Sequence, residues 1–536
     1  MTLAPPPPTA ADAKRVTTMT LAAAKELRRH GKPPLDPAGA AWMEQRPQTL
    51  WPLLDAAVAA NIARPRDEAL VAGCHWLLVS QLELIRYRLD SGHDWARAML
   101  DAYQERLIEL ARASTLSETD WFALVNLLRD AEVPIRPEMA KALAHAASEA
   151  APEELPSPRE LPGHLRGLLD ELGRTAEDPF MVVEALGETG ALMPADIRAY
   201  LTHELGLSPH AVLREAVPLL LLDPEPAIRQ AAAAVLEQIA VPETFSPTML
   251  RRGLLVRNWV PEAEREAIDR MIRKARVKGV VCAQWPAAPA LAIQCSMVDG
   301  SGAQAMILTT AAGRTGPLAG LLLKQGFGVR DAWCDQGVAR REITRSIKET
   351  QREMAWLQVG RDYLDVMAQH HIKRGLSEGN PPRASLVEIA EVIGAADWKD
   401  RGLDVEAETN RLLAEPRGST GHSGAWLVDS PMMLSWFEDD PTVRALVRGR
   451  PRPKHAAAVQ RMLDEVLPAR RAIWTERLLL MALWLRAGPK SALPAGAWRD
   501  CAVLAHDLVA GRALADLPAM VAIAERSVYA ARANNL

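Results

Sequence analysis

The chain has 536 residues, 49% apolar, 24% charged and 5% aromatic, with 63 basic against 67 acidic side chains and a formal charge of −4. Such a length exceeds what a single hydrophobic core serves, so three or four packed units are expected, and a near-neutral balance excludes a polyanion-binding surface over the whole molecule. Five dispersed cysteines, Cys74, Cys282, Cys295, Cys334 and Cys501, contain no C-x-x-C pair, which argues against structural zinc and for a reduced compartment.

In chain order, residues 1–40 carry a four-proline run, a short helical stretch at LAAAKELRRHG and the KPPLDP cluster. They are read as a flexible, mildly basic tail without a secretory signal. Residues 41–150 are helical throughout: in DWARAMLDAYQERLIELARAS, Ala96, Leu100, Tyr103, Leu107 and Leu110 recur at the spacing of one buried helix face. The Pro- and Glu-rich APEELPSPRELPGH marks a linker, with a short helix, over 151–175.

LLLLDPEPAIRQAAAAVLEQIA, residues 219–240, combines a turn at Asp223-Pro224, a proline suited to a first helical turn at Pro226, and an apolar stripe of Ile228, Ala231, Ala232, Val235 and Ile239. A weaker copy, NWVPEAEREAIDRMIRKA, places Pro261 35 residues after Pro226. This region, about 176–279, resembles HEAT repeats, with Asp223 and Arg229 at the positions where those repeats carry an Asp and an Arg. The resemblance implies stacked helical hairpins in which those two side chains hold successive repeats together and do no chemistry.

ALAIQCSMV, residues 290–298, alternates with period two, DGSG supplies turn residues at 299–302, and AQAMILTT returns as a second strand. PLAGLLLKQG is a third strand or a short helix. A hairpin alone is marginal, so residues 280–336 are read as a small α+β insert docked on the repeats. The remainder, 337–536, is a helical domain, opening with VARREITRSIKETQREMAWLQ, whose Arg341, Arg345, Lys348 and Arg352 lie beside Glu342, Glu349 and Glu353 as a salt-paired surface. The longest apolar run, Leu478 to Leu485, is too short to span a bilayer. The fold class is therefore mainly α, with HEAT-like hairpins and a small α+β insert in mid-chain, in a soluble cytoplasmic protein without a membrane role.

Candidate chemistry is sparse. Asp299, Asp331 and Asp335 would form a metal-dependent hydrolase or nuclease site if they converged, since RNase H-like nucleases resemble this stretch in ending a strand with an Asp-Gly-Ser turn. A plain hairpin turn explains DGSG equally. Gly421-His422-Ser423-Gly424-Ala425 approaches a nucleophile elbow but follows a polar loop instead of a buried strand. His370 and His371 are adjacent and point about 100° apart on a helix, which does not suit one metal. No cofactor and no metal are implied.

Arg448-Gly449-Arg450-Pro451, continued by Arg452 and Lys454, resembles the core of an AT-hook, which implies contact with the minor groove of A·T-rich DNA. A basic inter-helix loop is the competing account. RMIRKARVKG, residues 270–279, supplies a second basic stretch that is also a favourable helix C-terminus. The leading functional expectation is a non-enzymatic scaffold or adaptor for protein partners, with the hairpin residues Gln294, Ser296, Asp299, Ser301 and Gln304 as its recognition element; nucleic acid is the alternative partner.

Overall fold

The computed structural model describes residues 5–30, 37–90, 93–136, 138–139, 141–142, 161–190, 193–310, 313–351, 355–415, 425–439, 441–447, 454–489 and 496–533. It is mainly helical, with one five-stranded sheet in mid-chain. Two separate cores organise it. One belongs to helices between Ala10 and Ala142 and is centred on Leu54, Leu78, Leu82, Tyr103, Leu107 and Leu124. The other runs without interruption from the helical pairs after Leu161 through the sheet into the C-terminal helices.

The first helix, Ala10–His30, corrects the reading of residues 1–40 as a flexible tail: Val16, Ala23 and Ala24 are buried. The proline run masked a capping box, in which Thr9 Oγ accepts from the Asp12 amide at 3.2 Å and the Asp12 carboxylate accepts from the Thr9 amide at 2.9 Å. Small side chains then permit close packing on the helix Glu68–Asp90. That second helix is long and apolar enough to cross a membrane by length and composition alone, but Cys74, Leu77, Leu78, Leu82 and Ile85 along it belong to the N-terminal core.

In the next region the helices Ala195–Leu207, Pro226–Gln238 and Arg265–Val277 pack side by side, each after a shorter helical segment, an arrangement compatible with a helical repeat. Ile228, Ala232, Val235 and Ile239 are buried, as the stripe predicts. Arginines tie each layer to the turn of the next. Arg198 pairs with Asp223 at 2.6 Å, and Arg229 pairs with Glu264 at 2.6 Å while donating to the Asp223 and Pro224 carbonyls at 2.8 and 2.9 Å. The charged groups thereby satisfy backbone oxygens left over at helix ends.

The sheet is antiparallel throughout, with strands β1 (Leu291–Ser296), β2 (Ala303–Thr310), β3 (Thr315–Lys324), β4 (Gly328–Ala339) and β5 (Trp356–Val359) in the spatial order β4-β3-β2-β1-β5. The hairpin follows the sequence reading, and PLAGLLLKQG, open there between strand and short helix, is a strand. The sheet nevertheless runs past residue 336. The helix Arg340–Thr350 is followed by β5, which pairs with β1. The basic pattern of that helix disguised its role: Ile343, with Ile347, covers Ile307, Leu318 and Trp356 on the outer face of the sheet. The inner face, including Ile293, Cys295, Met306, Leu308, Leu321 and Leu323, joins the large core.

Beyond β5 the helices Arg361–Ser377, Ser385–Ile393, Val405–Ala414, Leu467–Ala487, Ala497–Val509 and Pro518–Ala533 close over the inner face. Pro468 follows directly on the π-helical turn Met462–Val466 within a helical run from His455 to Ala487, where the wider turn accommodates the missing amide proton.

Candidate functional site

The β1–β2 turn, the first place for chemistry, is an internal joint. Asp299 Oδ1 accepts from the Ser301 amide, the Ser301 hydroxyl and the Ala303 amide, each at 2.8 Å, so its carboxylate is spent on shaping the turn. Gly300 lies against the C-terminal helices; a Cβ there would sit 1.5 Å from the Ser435 carbonyl oxygen. Arg477 donates to the Gly300 carbonyl, and Trp436 and Trp484 donate ring N–H groups to the Val298 and Cys295 carbonyls, both at 3.1 Å.

The other hairpin candidates are equally internal. Ser296 is buried, its hydroxyl accepting from the Ala305 amide at 2.9 Å. Gln304 is buried between the Ser296 carbonyl at 3.0 Å and the Tyr363 hydroxyl at 2.9 Å. Gln294 pairs with Ile307 on one side and Gln358 on the other, because β1 is an inner strand. β1 has no free edge: β5 and β2 occupy both of its sides, and the two outer strands are β4 and β5.

The three aspartates do not converge. Asp299 lies in the β1–β2 turn, whereas Asp331 and Asp335 lie on β4, beyond β3, and four residues apart along the strand, roughly 13 Å. Asp331 holds the Ala332 amide at 2.9 Å and faces Arg383 at 3.6 Å. Among the described residues no group of three or more metal-ligating side chains is brought together.

His370 and His371 are buried with rings edge to face. His370 Nδ1 accepts from the Leu403 amide at 3.1 Å, which places the ring proton on Nε2, 3.1 Å from Glu476. Glu476 also receives Arg374 at 2.5 Å and Gln325 at 2.8 Å. Burial pushes its carboxyl up, but hydrogen bonds from His370 and Gln325 and the Arg374 charge outweigh it and hold the group down at about 2. His371 donates Nδ1–H to the Met367 carbonyl at 2.9 Å, and burial, followed by its neighbour His370, lowers it to about 3. Both oxygens of the Glu476 carboxylate are committed to protein groups, which makes this cluster a structural joint between the β3–β4 turn, the helix Arg361–Ser377 and the helix Leu467–Ala487.

The place open to a ligand is a cleft of about 830 Å³ between the helical pairs and the β4 edge. Phe180, Val183, Leu201, Leu219, Leu222 and Ile228 form one wall. Seven consecutive residues of β4, Val329 to Asp335, form the other. Side chains on a strand alternate between faces, so an unbroken run lining one cleft means that the strand is presented edge-on. Asn380, Arg383, Ser385 and Glu388 close the floor. At the rim, Glu132 of the N-terminal unit meets Arg383 at 3.1 Å and Arg330 at 3.5 Å.

The electrostatics of this cleft are lopsided. It carries Glu184, Asp223, Asp331, Asp335 and Glu388 against Arg198, Arg330 and Arg383. Arg198 is taken by Asp223, and the other two by Glu132. Burial, followed by the nearby carboxylates Asp178, Glu391 and Asp335, raises the Glu388 carboxyl above the usual range in spite of a hydrogen bond from Gln336. Cys334 is no nucleophile: burial, with Glu388 and Asp335 adding to it, pushes its thiol up to about 12.

Sequence reasoning placed Asp331 and Asp335 in a metal site and overlooked Glu388, Trp333 and Phe180, which nothing but tertiary packing brings together. The AT-hook-like Arg448, Gly449, Arg450, Pro451 and Arg452 lie outside the described residues, as does Ser423. Lys454 is exposed at the start of the helix His455–Arg461. In the second basic stretch, Arg270 pairs with Glu237 at 3.4 Å and Lys274 caps the preceding layer through the Glu237 carbonyl at 2.7 Å.

Comparison with known proteins gives three findings. Residues 194–279 match the family described as the Y4lR second domain, and residues 402–532 match the Y4lR C-terminal helical domain. The chain is similar to the uncharacterized protein y4lR of Sinorhizobium fredii, with 23% identity over 482 residues, covering 87% of this chain and 90% of that relative. No solved structure matches.

Proposed function

We propose that the protein is a non-enzymatic scaffold or adaptor that holds a protein partner in the cleft between its helical pairs and β4. The observation that carries this reading is the cleft: two built walls, one apolar and helical, the other a strand edge, enclosing about 830 Å³. Within it the titratable groups are used in ion pairs, hydrogen bonds or a crowded carboxylate patch, and a nucleophile–base pair is not among the described residues. Stacked helical pairs offer long surfaces to partners and seldom assemble catalytic groups on their own, which supports a binding role. Asp299 lies in the β1–β2 turn and Asp331 and Asp335 lie apart on β4, which counts against metal-dependent hydrolysis.

The test is affinity capture of the tagged chain from its native cells, with and without nuclease, beside a variant whose cleft is filled by Leu201→Trp. The expected result is a discrete protein set that survives nuclease and disappears in the filled variant. Recovery of nucleic acid, with the proteins lost on nuclease treatment, overturns the reading in favour of a basic segment such as Arg448–Arg452. Recovery unchanged by Leu201→Trp overturns the cleft as the partner site.

A further inference from the structure

The β4 edge already accepts hydrogen bonds in the manner of a strand waiting for a neighbour. At Ala332 both main-chain groups point away from β3: the amide donates to Asp331 Oδ1 at 2.9 Å, and the carbonyl accepts from the Ser385 hydroxyl at 2.5 Å. In an antiparallel ladder every second residue turns its N–H and C=O outward. The register Leu321↔Ala332 and Ala319↔Cys334 therefore puts the main chain of Cys334 on the same open side. Two short side chains, Asp331 and Ser385, stand in at Ala332 for bonds that an added strand would make.

The charge along this edge is graded. At the Arg330 end the cations are met by Glu132 of the N-terminal unit. Towards Asp335 the cleft is acidic, and among the described residues Glu184, Asp335 and Glu388 have no ion-pair partner. Trp333, 39% exposed, lies between Asp331 and Asp335 on the outer face, and Leu322, 36% exposed, extends the apolar strip from it towards the Arg330 end. A strand-like ligand laid there buries apolar side chains on alternate positions and brings cations to the carboxylates on the others.

We propose that the cleft takes an extended, basic segment of a partner protein, added to β4 as a sixth strand with a Lys or Arg directed at Asp335 and Glu388. This rests on the scaffold reading and specifies its ligand. Main-chain bonds to Cys334 and Ala332 provide sequence-tolerant affinity, and the acidic end sets polarity and selectivity. A cation arriving at this end relieves the mutual repulsion of Glu388 and Asp335.

The experiment uses the full chain and three fluorescein-labelled synthetic peptides read by anisotropy: Val-Lys-Val-Arg-Val-Thr, its acidic counterpart Val-Glu-Val-Asp-Val-Thr, and the basic peptide N-methylated at alternate amides. Only the unmodified basic peptide is expected to bind, with affinity falling on addition of salt. The double variant Asp335→Asn/Glu388→Gln should weaken it by about tenfold, with an unchanged melting curve, and amide hydrogen exchange at Cys334 should slow when the peptide is added. Equal binding of acidic and basic peptides overturns the charge assignment, and equal binding of the N-methylated peptide overturns strand addition. No binding of any peptide, with cell capture still lost in Leu201→Trp, overturns strand addition and leaves the scaffold reading standing. Capture indifferent to Leu201→Trp removes both.

Discussion

The N-terminal unit and the body of this molecule are held together by different physics. Within the body, the sheet, the helical pairs and the C-terminal helices share one apolar core, and their joints are buried main-chain contacts such as Gly300 on Ser435. The N-terminal unit has a core of its own, and the contacts that tie it to the body include a set of charged side chains. Arg88 bridges Glu44 and Asp439 at 3.0 and 2.9 Å, Arg444 donates to His93 Nδ1 at 2.7 Å, and Glu132 receives Arg383 and Arg330. Apolar burial has no charge to titrate or to screen, whereas ion pairs do. The contrast teaches that this protein is built as a body with one continuous core and a second unit, with its own core, joined by charged side chains to one rim of its cleft.

The sharpest way to break the comparison is inside the body. Glu476→Ala removes the carboxylate that faces buried His370 and partly exposed Arg374, and breaking the buried pair costs about 4 kcal/mol. A thermal melt should show the body transition lowered and the N-terminal transition unmoved. Because Glu476 is held at about 2, below its ordinary 4.5, its contribution is complete above pH 4.5 and is lost as pH falls towards 2. Acid unfolding of the wild type should therefore steepen across that window, and that of Glu476→Ala should not.

Next in size is Gly300→Ala, where the new methyl meets the backbone of Ser435 instead of a movable side chain. A loss of about 3 kcal/mol is expected from denaturant titration of the body. Stability equal to wild type would mean that the hairpin and the C-terminal helices part more easily than their contact implies.

Between units the effects are smaller and depend on pH. Burial, then the Arg444 charge, lowers the His93 imidazole below its ordinary value of 6.5. The neutral ring favours the clipped arrangement, which is complete above about pH 6.5 and weakens as pH falls below it. Fluorescence energy transfer between dyes on the two units should decrease on acidification, and His93→Gln should flatten the response. The smallest effect is Arg88→Ala, a partly exposed bridge worth no more than about 1 kcal/mol. It should raise amide exchange along the rim without moving either melting transition.

Much of the secondary structure was legible because it depends on local pattern. The helix Asp94–Arg112 buries Ala96, Leu100, Tyr103, Leu107 and Leu110, the five residues that periodicity selects. The β1–β2 hairpin appears where alternation and DGSG place it. The cleft was not legible, since Phe180, Trp333 and Glu388 are far apart in sequence and none carries a recognisable motif. Asp331 and Asp335 were noticed as carboxylates, but whether they converge depends on strand order.

By itself the sequence determined the mainly helical class, the mid-chain sheet and the helical pairs around Pro226, because apolar period and turn chemistry act within a few residues. The tertiary structure alone decided that β1 is an inner strand, that a basic helix covers the outer sheet face, and that β4 is left edge-on to a cleft. Those facts follow from which strand finds β5, a pairing made across more than 50 residues, for which local preferences carry no information.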